Sequence, residues 1–261
     1  MYGDGLFETV RVVNGKAPLW EYHCRRLDKG CKQLKIKTDA ALFRRLWSGL
    51  QQVVSEAGRV SEICVVKIMI TRGAGGRGYQ PAPQSNPSEI IICYPAPSYP
   101  LTHASEGIQV TTCKHRLSEN PALAGIKHLN RLDQVLASTE LSDSVPEGLM
   151  LDQQGLIIEG TKSNVLLFKN NEIVSPITSL CGVDGVARSF IFDNLSILGI
   201  KGRFEHVESA QAFEFDGMAI VNSVLGIWPV RTLDCVELPI SPLVSDIQRL
   251  FNNKLNFEFM I

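Results

Sequence analysis

Neither sign of charge prevails in this chain of 261 residues: 26 lysines and arginines stand against 27 aspartates and glutamates, a formal net charge of -1. A nucleic-acid partner, which would call for a basic excess or stripe, is not expected. Long hydrophobic runs are absent too. No apolar stretch approaches the length of a bilayer span and the N-terminus carries no charged-then-apolar leader, so no membrane partner is expected. Histidine is scarce, at positions 23, 103, 115, 128 and 206 only, with no metal-ligand spacing, and no metal is expected. The seven cysteines are odd in number, scattered, and never form a Cys-x-x-Cys pair. That argues against zinc or thioredoxin-type exchange and for reduced thiols in a cytoplasmic protein. Internal repeats and low-complexity tracts are missing. What is present is an ordinary globular composition, 44% hydrophobic and 20% charged, long enough for one large domain or two moderate ones.

The first third reads as a small α/β unit. Residues 7–13 form a strand candidate closed by the turn Asn14-Gly15. Trp20, Cys24, Leu27, Cys31 and Leu34 recur at helical spacing, and Leu42, Phe43, Leu46, Trp47, Leu50, Val53 and Val54 repeat it up to Gly58. Residues 63–71 and 89–94 are strands rich in β-branched residues, joined by a long Gly/Pro loop. The proline-rich stretch 95–107 reads as a linker. Beyond it come short strands at 108–113, 148–151, 156–159, 164–168 and 218–221, with turns at Asp152-Gln153-Gln154-Gly155 and Asn170-Asn171. Helices are expected over 129–141, 186–198 and 209–213. The fold class is α+β in two domains: a small α/β domain over 1–96, a linker over 97–107, and a larger, mixed to antiparallel β-rich domain over 108–261.

Several segments carry possible chemistry. In 124–135 a small-residue approach, Ala122, Ala124 and Gly125, delivers Lys127 to the front of an amphipathic segment backed by Leu129, Leu132, Val135 and Leu136. An apolar boundary disfavours the charged form of a lysine and moves it toward use as nucleophile and base. Gly73-Ala74-Gly75-Gly76-Arg77-Gly78 satisfies G-x-G-x-x-G as a string, but Pro81 and Pro83 follow where a dinucleotide fold needs a helix. The loop instead presents Arg72, Arg77 and Tyr79, either as a lid for an acidic substrate or as a solvated hairpin tip. Glu159 ends an apolar strand and, if buried, needs a cationic or hydrogen-bonding partner. Gly182 to Arg188 leads into a helix whose first N–H groups suit a phosphate. Asn222-Ser223 follows a strand with a hydroxyl and free amides. Of the adjacent Arg25 and Arg26, at most one faces inward beside Leu27.

Together these segments resemble the fold-type IV pyridoxal-phosphate enzymes, the group that contains branched-chain and D-amino acid aminotransferases and the aminodeoxychorismate lyases. The run Gly3-Asp4-Gly5-Leu6-Phe7-Glu8-Thr9 and the His23-to-Leu27 segment match its N-terminal motifs. Arg72 to Tyr79 and Gly125 to Leu132 are most similar to the lyase branch. The resemblance implies pyridoxal 5'-phosphate as cofactor. Lys127 then forms the Schiff base, Glu159 keeps the pyridine nitrogen protonated, and Arg26, the N–H groups of Val186 and Ala187, and Ser223 hold the phosphate. Arg77 and Tyr79 occupy the loop that receives a substrate carboxylate, with Thr9 and Asn222 near the cofactor.

The activity this resemblance implies is cleavage of aminodeoxychorismate to 4-aminobenzoate and pyruvate, in folate biosynthesis. Transamination of D- or branched-chain amino acids is the alternative. The expected partners are a small acidic substrate and a second copy of the chain in a homodimer. Members of the group usually carry further residues ahead of the Gly-Asp-Gly run, including an edge strand, and here Met1-Tyr2 leads straight into it; either the sequence is a shortened version or a natural variant leaves a sheet edge uncovered.

Overall fold

The computed structural model describes residues 2–75, 78–82 and 85–255. They divide into two compact units, Met1–Pro97 with Ile126–Asn130, and Ser98–Gly125 with Arg131–Ile261.

The first unit runs β1 (Gly5–Val13), α1 (Trp20–Gln33), α2 (Leu42–Glu56), β2 (Ile63–Thr71) and β3 (Ser88–Pro95). The strands pair antiparallel in the order β1-β2-β3. Period-two alternation puts Leu6, Val10 and Val12 of β1 on one face with Cys64, Val66, Ile68 and Ile70 of β2, all buried. Leu27 and Cys31 of α1 and Leu42, Leu46, Leu50 and Val54 of α2 are buried in turn, with α1 against β1 and α2 against β3. Each fully covered leucine contributes about 2 kcal/mol.

Residues 126–130 depart from expectation. They are extended rather than the start of a helix: Phe7 N–H donates to the Lys127 carbonyl at 2.9 Å and Leu129 N–H to the Gly5 carbonyl at 2.9 Å. The edge of β1 away from β2 is thus paired, in part, with a segment more than a hundred positions downstream. The helix that follows is correspondingly shorter, α4 (Leu132–Ser138).

The second unit contains α3 (Thr102–Ser105), β4 (Ile108–Thr112), α4, β5 (Glu147–Leu151), β6 (Ile157–Gly160), β7 (Asn164–Lys169), β8 (Glu172–Pro176), α5 (Val186–Asn194), β9 (Lys201–Glu205), β10 (Gly217–Asn222), β11 (Gly226–Leu233), β12 (Val236–Glu237) and α6 (Leu243–Leu255). Its sheet runs β6-β5-β4-β11-β10-β7-β8-β9, with β12 on β11. Pairing is parallel at β4–β11, β4–β5 and β8–β9 and antiparallel elsewhere. The β5–β6 turn is closed by Asp152, whose Oδ1 accepts from Gln154 N–H and Leu156 N–H at 3.0 and 2.8 Å. Val165, Leu167, Met218, Ile220, Trp228 and Val230 form the main core. A smaller cluster of Cys113, Leu117, Ala137, Met150, Ile158 and Cys181 seats α4. Among the described residues no helix is long and apolar enough to cross a membrane.

Candidate active site

In the first unit, Phe7 and Thr9 project from the face of β1 opposite Leu6 and Glu8. The Lys127 Nζ lies 4.5 Å from the centroid of the Phe7 ring, and the Lys67 Nζ lies 5.5 Å from the same centroid. An ammonium over an aromatic face is attracted by about 0.5–1 kcal/mol, and the ring gives the lysine a defined resting place. Lys67 also pairs in register with Thr9. Lys67 went unnoticed in the sequence because it reads as one polar residue in an apolar strand. Period-two counting from Thr9 across the β1–β2 pair is the signal that finds it.

The other face of β1 holds a buried ionic cluster. Glu8 is 1% exposed. It accepts a guanidinium fork from Arg26, with Nε to Oε1 at 2.8 Å and Nη2 to Oε2 at 2.5 Å, and a bond from His23 Nδ1 at 2.7 Å. Burial alone would raise the Glu8 carboxyl, but the Arg26 charge and the bonds from Arg26 and His23 outweigh it and hold it at about 2. Burial lowers His23 below the usual imidazole range, against the opposing pull of Glu8. Arg26 is therefore the inward arginine of the pair, while Arg25 stacks on Tyr22 with its guanidinium carbon 4.1 Å from the ring centroid. Glu8 and His23 carry no expected role in the sequence. A carboxylate on the apolar phase of a strand was the available sign that a cation must meet it.

Arg72 of the glycine loop is engaged within the fold. Arg72 is not free for a substrate: it forks onto Asp4, Nε to Oδ2 at 2.5 Å and Nη2 to Oδ1 at 2.8 Å, and donates to the carbonyls of Leu34 and Lys35. It ties the Gly3-Asp4-Gly5 run to the end of α1. Arg77 lies outside the described residues. Tyr79 is 87% exposed, its ring 5.1 Å from that of Tyr2. The loop's neck requires glycine at 73, where φ is +88° and a Cβ would fall 1.8 Å from the Asn86 carbonyl oxygen.

In the second unit, Glu159 on β6 faces Met150 of β5 in register and is 4% exposed. Gln134 Nε2 donates to its Oε1 at 3.1 Å and the Val183 N–H to its Oε2 at 2.9 Å. The loop carrying Val183 is fixed from several sides. Asn164 Nδ2 donates to the Val183 carbonyl, Gly125 N–H to the Gly182 carbonyl, and Asp184 N–H back to the Gly125 carbonyl. Buried Arg188 binds the Pro176 carbonyl, Thr178 Oγ1 and Asp184 Oδ1. The loop leads into α5, whose N-cap Gly185 offers no capping side chain. Val186 and Ala187 follow, both buried. Ser223, also buried, sits in the β10–β11 turn. Asn222 is the former of that turn: its Oδ1 accepts from Val224 N–H and Leu225 N–H, each at 2.8 Å, and its Nδ2 donates to the Lys162 carbonyl.

Comparison with known proteins adds to this geometry. The amino-transferase class IV family model matches residues 5–233. The chain is 30% identical over 98% of its length to an aminodeoxychorismate lyase of Vibrio harveyi, covering 92% of that protein. It is 29% identical over 90% of its length to a putative branched-chain-amino-acid aminotransferase of Methanocaldococcus jannaschii, covering 80% of it. Among solved structures, the 4-amino-4-deoxychorismate lyase from Pseudomonas aeruginosa superposes with a TM-score of 0.92 at 40% identity, over 98% of this chain and 93% of that one. A branched-chain amino acid aminotransferase from Escherichia coli shares the fold, with a TM-score of 0.85 at 21% identity over 97% of this chain and 86% of that one.

Proposed function

The chain belongs to amino-transferase class IV, and from that premise we propose that it is a pyridoxal-phosphate-dependent lyase, converting 4-amino-4-deoxychorismate to 4-aminobenzoate and pyruvate. The cofactor chemistry is supported by Lys127, held by backbone pairing to β1 with its amine over the Phe7 ring, and the observation that favours the lyase over the aminotransferases is the similarity to the lyases of Vibrio harveyi and Pseudomonas aeruginosa.

The residues present fit the cofactor's three functional groups. Lys127 offers an amine for its aldehyde and Glu159 a buried carboxylate for its ring nitrogen. An α5 N-terminus without a side-chain cap, with Ser223, suits its phosphate, whereas Arg26, the phosphate ligand the resemblance implies, forks onto Glu8. Asn222 supports Ser223 by shaping the turn rather than through its own amide. Bound pyridoxal phosphate supplies an electron sink for the pair released when the substrate's amine-bearing carbon loses its proton. Lys127, displaced by the substrate amine and neutral, removes that proton with Nζ. The C–O bond to the enolpyruvyl group then breaks, its electron pair leaves on that oxygen, and the ring becomes aromatic. The proton returned by Lys127 Nζ, or by the Thr9 hydroxyl, completes pyruvate. Lys67 beside Thr9, together with Arg77 and Tyr79, supplies partners for the substrate's carboxylates.

The assembly in this reading is a homodimer. Leu132, Val135 and Leu136 of α4 are 67, 55 and 50% exposed, an apolar patch that a second copy would cover. A cytoplasmic setting agrees with seven free thiols.

The test is an assay of reconstituted enzyme with aminodeoxychorismate and no amino acceptor. Pyruvate and 4-aminobenzoate are expected in equal amounts, and Lys127→Ala should abolish both products and the borohydride-fixed cofactor. Amino transfer to 2-oxoglutarate without pyruvate release would place the chain among the aminotransferases instead.

A further inference from the structure

Helix α4 is built inside out. Its leucine and valine stripe, Leu132, Val135 and Leu136, faces outward, while Ala137 is fully buried and Leu141 just beyond packs into the cluster of Cys113, Leu117, Met150, Ile158 and Cys181. Gln134 lies on that inward side, one turn ahead of Ala137 and two ahead of Leu141. A polar amide turned toward an apolar cluster costs free energy unless it is hydrogen-bonded. Its bond goes to Glu159, and because the acceptor is a carboxylate, the amide nitrogen rather than the oxygen must face it. The second carboxylate oxygen receives the Val183 N–H. Each oxygen thus receives a neutral donor, one from α4 and one from the Val183 loop, and the two together restrain the carboxylate's rotation.

Cys181 of the Val183 loop shares this corner, and the carboxylates whose fields reach it include, besides Glu159, Asp152 of the β5–β6 turn, Glu119, and Asp133 of α4, which is itself bonded to His115. Burial first, then the fields of Asp152, Glu159, Glu119 and Asp133, push the Cys181 thiol up to about 12. A carboxylate near Glu159 favours a proton on it. N–H donors act in the opposite sense, since they stabilise the ionised form. We propose that Gln134 is a positioning residue for Glu159, which with the Val183 N–H holds the carboxylate ionised and rotationally fixed. The consequence for catalysis rests on the lyase reading: an ionised Glu159 is what keeps a cofactor ring nitrogen protonated.

The experiment uses the cofactor-free full chain with carboxyl-13C glutamate, the Glu159 resonance being assigned by its loss in Glu159→Gln. Gln134→Met keeps the side chain's shape and removes its donor. Its Glu159 titration midpoint is expected to rise by about one pH unit, the equivalent of one hydrogen bond to a charged group. Gln134→Glu, which adds an acceptor and a charge, should raise it further. In the reconstituted enzyme the acid limb of the kcat/KM profile should move upward by the same amount. If Gln134→Met does not fold, Gln134→Asn, whose amide falls short of Glu159, reads the same midpoint. A midpoint that stays put in the folded variant overturns the proposal, whatever happens to activity. A raised midpoint in a protein that takes up no pyridoxal phosphate supports it while sinking the lyase reading.

Discussion

Replacing Glu8 with glutamine tests the buried cluster that anchors α1 to β1. The Glu8 carboxyl is held at about 2 against an ordinary 4.5, a difference worth about 3 kcal/mol. Its neighbours cannot relax into water, since the Arg26 and His23 side chains are 9 and 2% exposed. Removing one member of a buried ionic set costs about 3–5 kcal/mol, so the two routes agree. The sign follows from the direction of the shift. A depressed carboxyl stabilises the fold above its unfolded value, and that contribution drains away as pH falls through 4.5 toward 2. His23, lowered chiefly by burial, adds a loss in the same direction as pH falls below 6.5, because the unfolded chain takes up the proton more readily. Urea denaturation of wild type and Glu8→Gln should therefore show a gap of about 3 kcal/mol at pH 7, shrinking to less than half by about pH 3. A gap that is independent of pH, or below about 1 kcal/mol at pH 7, would refute the account of Glu8 as an ionised, caged carboxylate.

Two further outcomes follow from packing. A Cβ at position 185 would fall 1.7 Å from Asn164 Oδ1, so Gly185→Ala should push Asn164 off the Val183 carbonyl and cost about 1–3 kcal/mol. A thermal melt and a pyridoxal-phosphate titration check it, and unchanged cofactor affinity would show that the α5 entrance tolerates the shift. The double change Leu132→Glu with Leu136→Glu places charges on the outward face of α4 without touching the core. If the proposed homodimer forms through this face, sedimentation should report a dimer for the wild type and a monomer for the variant, and an unchanged mass would remove α4 from the interface.

What could be read from the chain depended on how local its cause was. Strands β1, β2 and β3 and helices α1 and α2 follow from alternation and four-residue spacing, because one sheet face and two helix stripes bury against each other within a short stretch of chain. The second unit was less legible. β11 contains Pro229, which argues against a central strand, yet its parallel partner β4 begins pairing only at Ile108 with Val230, one residue past the proline. The helix α6 went unread although Val244, Ile247, Phe251 and Leu255 recur at helical spacing, all buried. Arg72 cannot be read from the loop as a structural arginine, since its contact with Asp4 joins positions 68 apart. Lys127 shows the limit most sharply. Its flanking pattern is an amphipathic helix start, but the apolar stripe of α4 reads the same whether it faces a core or a second chain. Leu132, Val135 and Leu136 face outward, and the lysine itself sits on extended backbone bonded to Phe7. What the structure puts beside that amine is an aromatic group. Phe7 provides that group, and it lies in the same Gly-Asp-Gly run that first marked the family.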